Sequence, residues 1–187
     1  EPLALVDGIS VTFFRTAGVS ALASQFLSRE DSETLLLLGT GNLARFLIRA
    51  HASVRPLKNI LLWGRTKANA EAVVADMQKE LPDIEFVVAD DIQTACGQAD
   101  IVVAATGSPD ILVQGDWIKE GTHTDFLGNH HADKRECDTA LVVKSKVYLD
   151  TYVNCFNEAG EVLVPIEEGV LKKEDVKGEL AELCMAK

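Results

Sequence analysis

The sequence predicts an α/β fold: a doubly wound, mostly parallel sheet with helices on both faces. Three observations carry this. Short apolar runs alternate with segments of helical periodicity along the whole chain. The runs at 35–38, 60–62 and 101–104 are continuously apolar, without the polar alternation of a half-exposed strand. A Gly-x-Gly-x-x-Ala turn joins the first run directly to an amphipathic helix. Strands and helices alternating at this spacing mean βαβ units.

The elements follow in order. Residues 11–28 read as a helix, with Phe14, Gly18, Ala21, Leu22, Gln25 and Phe26 near one face. The small Ala17, Gly18 and Ala21 permit close packing there. Arg29-Glu30-Asp31-Ser32 is a polar connection to the first strand, 35–38. Leu43, Leu47, Ala50 and Val54 form the next helical stripe, which Pro56 stops. Residues 59–63 are the second strand. Ala70, Val73, Met77 and Leu81 make a third stripe, closed by Pro82. Then come a strand at 84–88, a short helix near 91–97 and a strand at 101–104. Further strands are expected at 122–127 and 146–150, and helices near 139–144 and 151–159. Asp90-Asp91 and Glu167-Glu168 are expected at helix starts, where acids suit the dipole.

The turn carries the first functional signal. Leu35-Leu36-Leu37-Leu38 runs into Gly39-Thr40-Gly41-Asn42-Leu43-Ala44. Gly39 permits a tight turn that a side chain would obstruct, Gly41 lets backbone approach a pyrophosphate, and Ala44 lets the helix pack near the strand. The first-turn N–H groups of that helix then face the phosphates. Gly39, Thr40, Gly41, Asn42 and Leu43 are therefore candidate dinucleotide contacts.

The second strand ends in Trp63-Gly64-Arg65-Thr66-Lys67. No acid stands where an NAD site uses one to accept the ribose hydroxyls. Arg65 offers a planar fork suited to a 2′-phosphate, and Thr66 a hydroxyl, which favours NADP(H) over NAD(H). Thr66 is also expected to cap the helix that follows. Ala105-Thr106-Gly107-Ser108-Pro109 follows the 101–104 strand, so Ala105, Thr106 and Gly107 are placed at the sheet's carboxyl edge. A plain Gly-Pro turn is equally compatible with these residues.

Bulk properties narrow the classes. The 187 residues suffice for one sizeable core, with no composition break, repeat or low-complexity segment. A net charge of −11 argues against nucleic acid or an anionic membrane as main partner. Cys96, Cys137, Cys155 and Cys184 form no Cys-x-x-Cys pair and read as reduced cytosolic thiols, so a cytoplasmic location is expected. No secretory signal is visible, and no apolar run approaches the roughly 20 residues of a membrane span. Opening on Glu1 without an initiator Met, and stopping just after the apolar 180–185 stretch, suggests a piece of a longer chain.

Four segments carry a family resemblance. Arg15-Thr16-Ala17-Gly18-Val19-Ser20-Ala21 is similar to an Arg-Thr-Ala-x-x-Ser-Ala helix. Gly39 to Ala44 takes the place of a Gly-Ala-Gly-x-x-Ala turn, and Trp63-Gly64-Arg65-Thr66 that of a Trp-x-Arg-Thr strand end. Gly128 to Asp138, with Lys134-Arg135-Glu136-Cys137-Asp138, matches Gly-Ala-x-x-Pro-Gly-Lys-Arg-Glu-Leu-Asp. Glu158-Ala159-Gly160-Glu161 and Gly178-Glu179-Leu180 fit the region beyond. In these segments the chain resembles the ornithine cyclodeaminase/mu-crystallin family.

The resemblance implies an NADP(H)-dependent oxidoreductase, with NAD(H) the alternative. It would reduce a cyclic imino acid (a ketimine) or interconvert an amino acid and an oxo acid. Two alternatives stay open: an ornithine cyclodeaminase using catalytic NAD, and an NADPH-bound small-molecule binding protein with little catalysis. The resemblance also implies a homodimer, and a substrate and dimerisation domain that this chain lacks. By position, Arg15 would meet the substrate carboxylate or a cofactor phosphate and Thr16 would lie near the pyrophosphate. Gly64, Arg65, Thr66 and Asn69 would surround the adenosine end, with Leu127 and Gly128 near the nicotinamide. Arg15, among small residues, is expected to be partly buried and paired with an anion.

One departure bears on chemistry. Cyclodeaminases carry a general-base Asp two residues after the glycine that matches Gly128; this chain has His130. That weakens the cyclodeaminase reading and leaves His130 as a candidate proton donor near neutral pH, or simply a solvated loop histidine. His131 is expected to point away from it. Two adjacent histidines without a third ligand do not make a metal site. Ala132-Asp133 also replaces the common Pro-Gly.

Overall fold

The computed structural model describes residues 2–185. Five strands pair in parallel in the order β3-β2-β1-β4-β5. They are β1 (Thr34–Leu38), β2 (Asn59–Trp63), β3 (Glu85–Val88), β4 (Ile101–Ala104) and β5 (His123–Phe126). Leu38 pairs with Trp63 on one side and Ala104 on the other, so the strand order reverses about β1. The carboxyl ends of β1 and β4 form the switch point where ligands of such sheets bind.

Side chains alternate across each strand, and both faces are covered. Leu36, Leu38, Val102 and Ala104 join one core cluster, and Leu35, Leu37, Ile60, Leu62, Ile101 and Val103 the other. The second cluster is covered by α1 (Gly8–Leu27), α2 (Asn42–Val54) and α3 (Lys67–Glu80). The first is covered by α4 (Ile92–Gln98), α5 (Thr139–Lys144), α6 (Tyr152–Glu158) and α7 (Gly160–Glu167). All four leucines of β1 are fully buried. Each contributes roughly 2 kcal/mol before the entropy of ordering the chain is set against it. A two-stranded pair, β6 (Tyr148–Leu149) with β7 (Gly178–Glu179), and α8 (Leu180–Met185) complete the fold.

Several expectations need correction. α1 starts at Gly8, where Asp7 caps it by accepting from the Ser10 N–H (2.8 Å). Its buried face is Ala17, Ser20, Ala21 and Ser24; of the expected stripe from Phe14 to Phe26 only Ala21 is on it, while Phe14, Gly18 and Gln25 are exposed. Small polar residues whose hydroxyls find partners in the interior displaced the larger apolar ones. The strand expected at 146–150 shrinks to two residues. Asp91 does cap α4, but Glu167 and Glu168 stand at the C-terminal end of α7. That helix was concealed by Pro165 within it. The expectations about the two ends rest on Glu1 and Lys187, which lie outside the described residues.

One buried arginine holds α1 to the sheet. The last carbonyls of a helix lack intrahelical donors. Arg55, just past the end of α2 and nearly buried, supplies them. Its Nη2 donates to the carbonyls of Ser24, Gln25 and Ser28 at 2.9 Å each, and its Nε to the Ser28 hydroxyl at 2.7 Å. By contrast, Arg49 meets Glu80 between α2 and α3 in the open, with both side chains over two-fifths exposed. Replacing Arg55 with Ala strips the Gln25 and Ser28 carbonyls of this donor, while the Ser24 carbonyl keeps the Ser28 N–H and hydroxyl, and should cost about 3 kcal/mol. Replacing Arg49 with Ala should cost no more than about 1 kcal/mol. Urea unfolding midpoints of the two variants, at unchanged slope, check the contrast.

Candidate nucleotide site

The site is built from three turns at the carboxyl edge. The first follows β1. Gly39 takes φ +122°, and a Cβ there would stand 2.5 Å from the Ala105 carbonyl oxygen, so only glycine fits. Gly41 is the N-cap of α2, and a Cβ on it would meet nothing within 4 Å. Its α-carbon therefore opens onto free space beside the first turn of a 13-residue helix. Ala44 is 3% exposed, packed beneath that turn. Backbone, open space and helix N-terminus together form a cradle that suits a pyrophosphate.

The second turn follows β2. Thr40 packs against Gly64 so closely that a Cβ on Gly64 would lie 2.5 Å from the Thr40 methyl. Arg65, Thr66 and Asn69 are exposed, and Arg65 has no hydrogen bond or ion pair among the described residues. Lys67 is held by Asp90 at 2.7 Å. Thr66 is the N-cap of α3 through its carbonyl, which accepts from Asn69 N–H (3.0 Å), but its side chain makes no capping bond. The expected hydroxyl cap is thus absent.

The third part joins the turns after β4 and β5. Ala105 and Leu127 extend the ladder, donating to the Leu38 and Ala104 carbonyls at 2.8 and 3.0 Å. Gly107 adopts φ +63°. The Asn129 amide donates to the Ser108 carbonyl (2.8 Å), tying one turn to the other. Between them lies Glu136, fully buried. Its Oε1 accepts from Thr106 N–H (2.8 Å) and from the Thr106 hydroxyl, and its Oε2 from Gly128 N–H (2.9 Å). A Cβ on Gly128 would meet both carboxylate oxygens at 2.5 Å. Glu136 N–H in turn donates to Glu161 Oε1 (2.8 Å), and burial pushes the Glu161 carboxyl above the ordinary carboxylate range. Thr106, Gly107, Leu127 and Gly128 are therefore brought together as the sequence suggests. Glu136, which clamps them, was visible only as one letter of the Lys-Arg-Glu-x-Asp segment.

The remaining candidates are more scattered. Arg15 is exposed and unpaired among the described residues, contrary to the expected partly buried, anion-bound arginine. Of the small residues around it, Ala17 is buried in the core while Gly18 is exposed. Thr16 is half-buried. His130 and His131 are exposed and do not point apart: their rings stack, centroids 4.8 Å apart at 28°.

A buried polar chain that the sequence did not reveal fixes α1 one turn beyond Thr16. Ser20 donates to Asp125 Oδ2 (2.5 Å), and His51 Nε2 lies 2.9 Å from the same hydroxyl. The single Ser20 proton goes to Asp125, so His51 is the donor to Ser20. Burial pushes the Asp125 carboxyl upward, while the Ser20 bond opposes the shift. Neighbouring His123 is half-buried with its Nε2 enclosed, and His51 Nδ1 and His123 Nε2 have no hydrogen-bond partner among the described residues.

Comparison with known proteins now decides the family. The model of the ornithine cyclodeaminase/mu-crystallin family matches residues 1–187. The chain belongs to this family. It is 46% identical over 184 residues to a Delta(1)-pyrroline-2-carboxylate reductase of Colwellia psychrerythraea, covering 98% of this chain and 58% of the relative. It is 31% identical over 181 residues to the ketimine reductase mu-crystallin of Rattus norvegicus, covering 97% and 54%. Among solved structures, the Thermococcus litoralis Delta(1)-pyrroline-2-carboxylate reductase in complex with NADH and L-proline superposes with TM-score 0.92 at 33% identity. That match covers 100% of this chain and 58% of the other. The chain thus spans little more than half the length of these family members.

His51 and His123 set a pH dependence. Burial, reinforced by nearby cationic side chains, lowers His51 to about 3 and His123 to about 4, from an ordinary value of 6.5. The unfolded chain therefore binds more protons below about pH 6.5. The stability these neutral histidines contribute is whole above that pH and is lost as pH falls toward 4. Asp125, shifted upward, acts in the opposite sense. Unfolding free energy should drop by roughly 2 kcal/mol per histidine between pH 7 and 5. His51→Gln, which keeps a donor toward Ser20, should remove about half of that drop. Urea titrations at the two pH values measure it, and an undiminished drop in the variant would contradict the assignment.

Proposed function

We propose that this chain is the nicotinamide-dinucleotide unit of an imine reductase that acts on a small cyclic imino acid. One observation carries the reading: the open backbone cradle at Gly39–Leu43 faces the switch point beside the clamped Thr106–Gly107 and Leu127–Gly128 turns. The similarity to pyrroline-2-carboxylate and ketimine reductases supports the substrate class. A bound nicotinamide supplies hydride to the imine carbon. In this reading the first-turn N–H groups of α2 hold the pyrophosphate, and Thr16 lies alongside. Thr106, Gly107 and Gly128 would line the nicotinamide end of the site. Arg15, free of internal partners, meets the substrate carboxylate and orients the imine. The proton for the imine nitrogen comes from His130 or from a residue outside this chain.

Arg65 supports NADP(H) as the preferred cofactor. It is exposed, unpaired among the described residues, and no acid stands at the end of β2. Lys67 contributes less, because Asp90 already holds it.

Fluorescence titration with NADPH and NADH tests the site and the preference together. Arg65→Ala should weaken NADPH about tenfold while leaving NADH within about twofold. Equal losses for both nucleotides would overturn the phosphate assignment. Turnover of pyrroline-2-carboxylate or piperideine-2-carboxylate with NADPH tests the chemistry, and tight NADPH binding without turnover would favour a binding protein. Turnover undiminished in His130→Ala would remove that residue from the proton step.

A further inference from the structure

Among the described residues, the buried Glu136 carboxylate has no cationic hydrogen-bond or ion-pair partner. Its side-chain partners are two backbone N–H groups and one hydroxyl, all neutral. The adjacent Arg135 guanidinium is committed elsewhere, donating to the Thr139 hydroxyl at 2.6 Å and lying 3.7 Å from Glu168. Every side-chain contact Glu136 makes is as an acceptor, the role of an ionised carboxylate. Water cannot screen it, since the residue is 0% exposed. A negative charge is thus held between the turns after β4 and β5, at the carboxyl edge of the sheet.

A nicotinamide ring is a cation when oxidised and neutral when reduced. We propose that Glu136 is a redox-state selector: its buried charge strengthens binding of the oxidised ring relative to the reduced one. The inference rests on the nicotinamide reading given above. At an effective permittivity of about 20, a unit charge within about 10 Å of the ring would change its affinity about tenfold. Neutral hydrogen bonds to the turns act on both ring states alike, so they cancel from the ratio of affinities. Glu136 also favours the positive charge that develops at this edge as hydride departs, and it slows release of the oxidised nucleotide. It acts through charge and position, without touching the reacting atoms.

The test is a pair of dissociation constants, for NAD+ and NADH, measured by titration calorimetry on wild type, Glu136→Gln and Glu136→Asp. Glu136→Gln should raise the NAD+/NADH ratio of Kd values about tenfold. Glu136→Asp should weaken both nucleotides and leave the ratio unchanged. A wild-type measurement keeps the proposal testable should the Gln variant not fold: benzamide adenine dinucleotide has a neutral ring in place of the pyridinium. Wild type should bind it about tenfold more weakly than NAD+. Both nucleotides binding with an unaltered ratio, or the neutral analogue matching NAD+, overturns the selector role alone. Failure of NAD(H) and NADP(H) alike to bind overturns the nicotinamide reading and this inference with it.

Discussion

A carboxylate cut off from water must collect its hydrogen-bond donors from the chain, and Glu136 collects them from two turns at once. That constraint organises the edge of the sheet. The Thr106 and Gly128 amides lie beyond the ends of β4 and β5, where strand pairing no longer reaches them, yet both point at one side chain. The same segment is anchored from behind. The Glu136 carbonyl accepts from Leu112 and Val113 N–H at 2.9 Å, and its own N–H goes to Glu161. Asp138 Oδ1 accepts from Gly115 and Leu141 N–H, which fixes α5 against the loop before β5. Removing the carboxylate would leave backbone donors buried and unpaired, a larger penalty than the bonds themselves are worth.

The opposite face uses the same principle on α1. Its small residues allow close approach to α2, but contact alone does not set the helix's position along the sheet. Directional bonds do. Arg55 gathers the C-terminal carbonyls, and the Asp125–Ser20–His51 chain ties the middle of the helix to β5 and α2. Thr16 lies one turn nearer the N-terminus of the same anchored helix. The chain's polar interior is thus concentrated where elements must be held in register beside the candidate site.

The sequence made the sheet legible because its signals are local. Four consecutive leucines running into a glycine turn read as a strand buried on both faces, and Gly39 fits a turn whose φ and close contact with Ala105 exclude any side chain. Thr106 and Gly107 follow β4, and Leu127 and Gly128 follow β5, so the topology of parallel strands brings these turns together at one edge. Glu136, Arg55, His51 and Asp125 were not legible, because a buried polar residue is defined by partners far away in the chain. Ser20 and Asp125 are 105 positions apart, and Thr106 and Glu136 are 30 apart. A charged letter in a polar segment looks like surface until its donors are located. The misassigned face of α1 has the same origin, since Ser20 and Ser24 are inside only because hydroxyl partners wait there.

The central claim is that the two turns beside the switch point are locked by one buried carboxylate. Amide hydrogen exchange at Thr106 and Gly128, followed by NMR, addresses it most directly. If Glu136 holds both N–H groups, they should exchange nearly as slowly as the amides of Leu36 and Leu37 in the central strand, although both lie in turns. Exchange of either amide at the rate of an exposed loop would contradict the account.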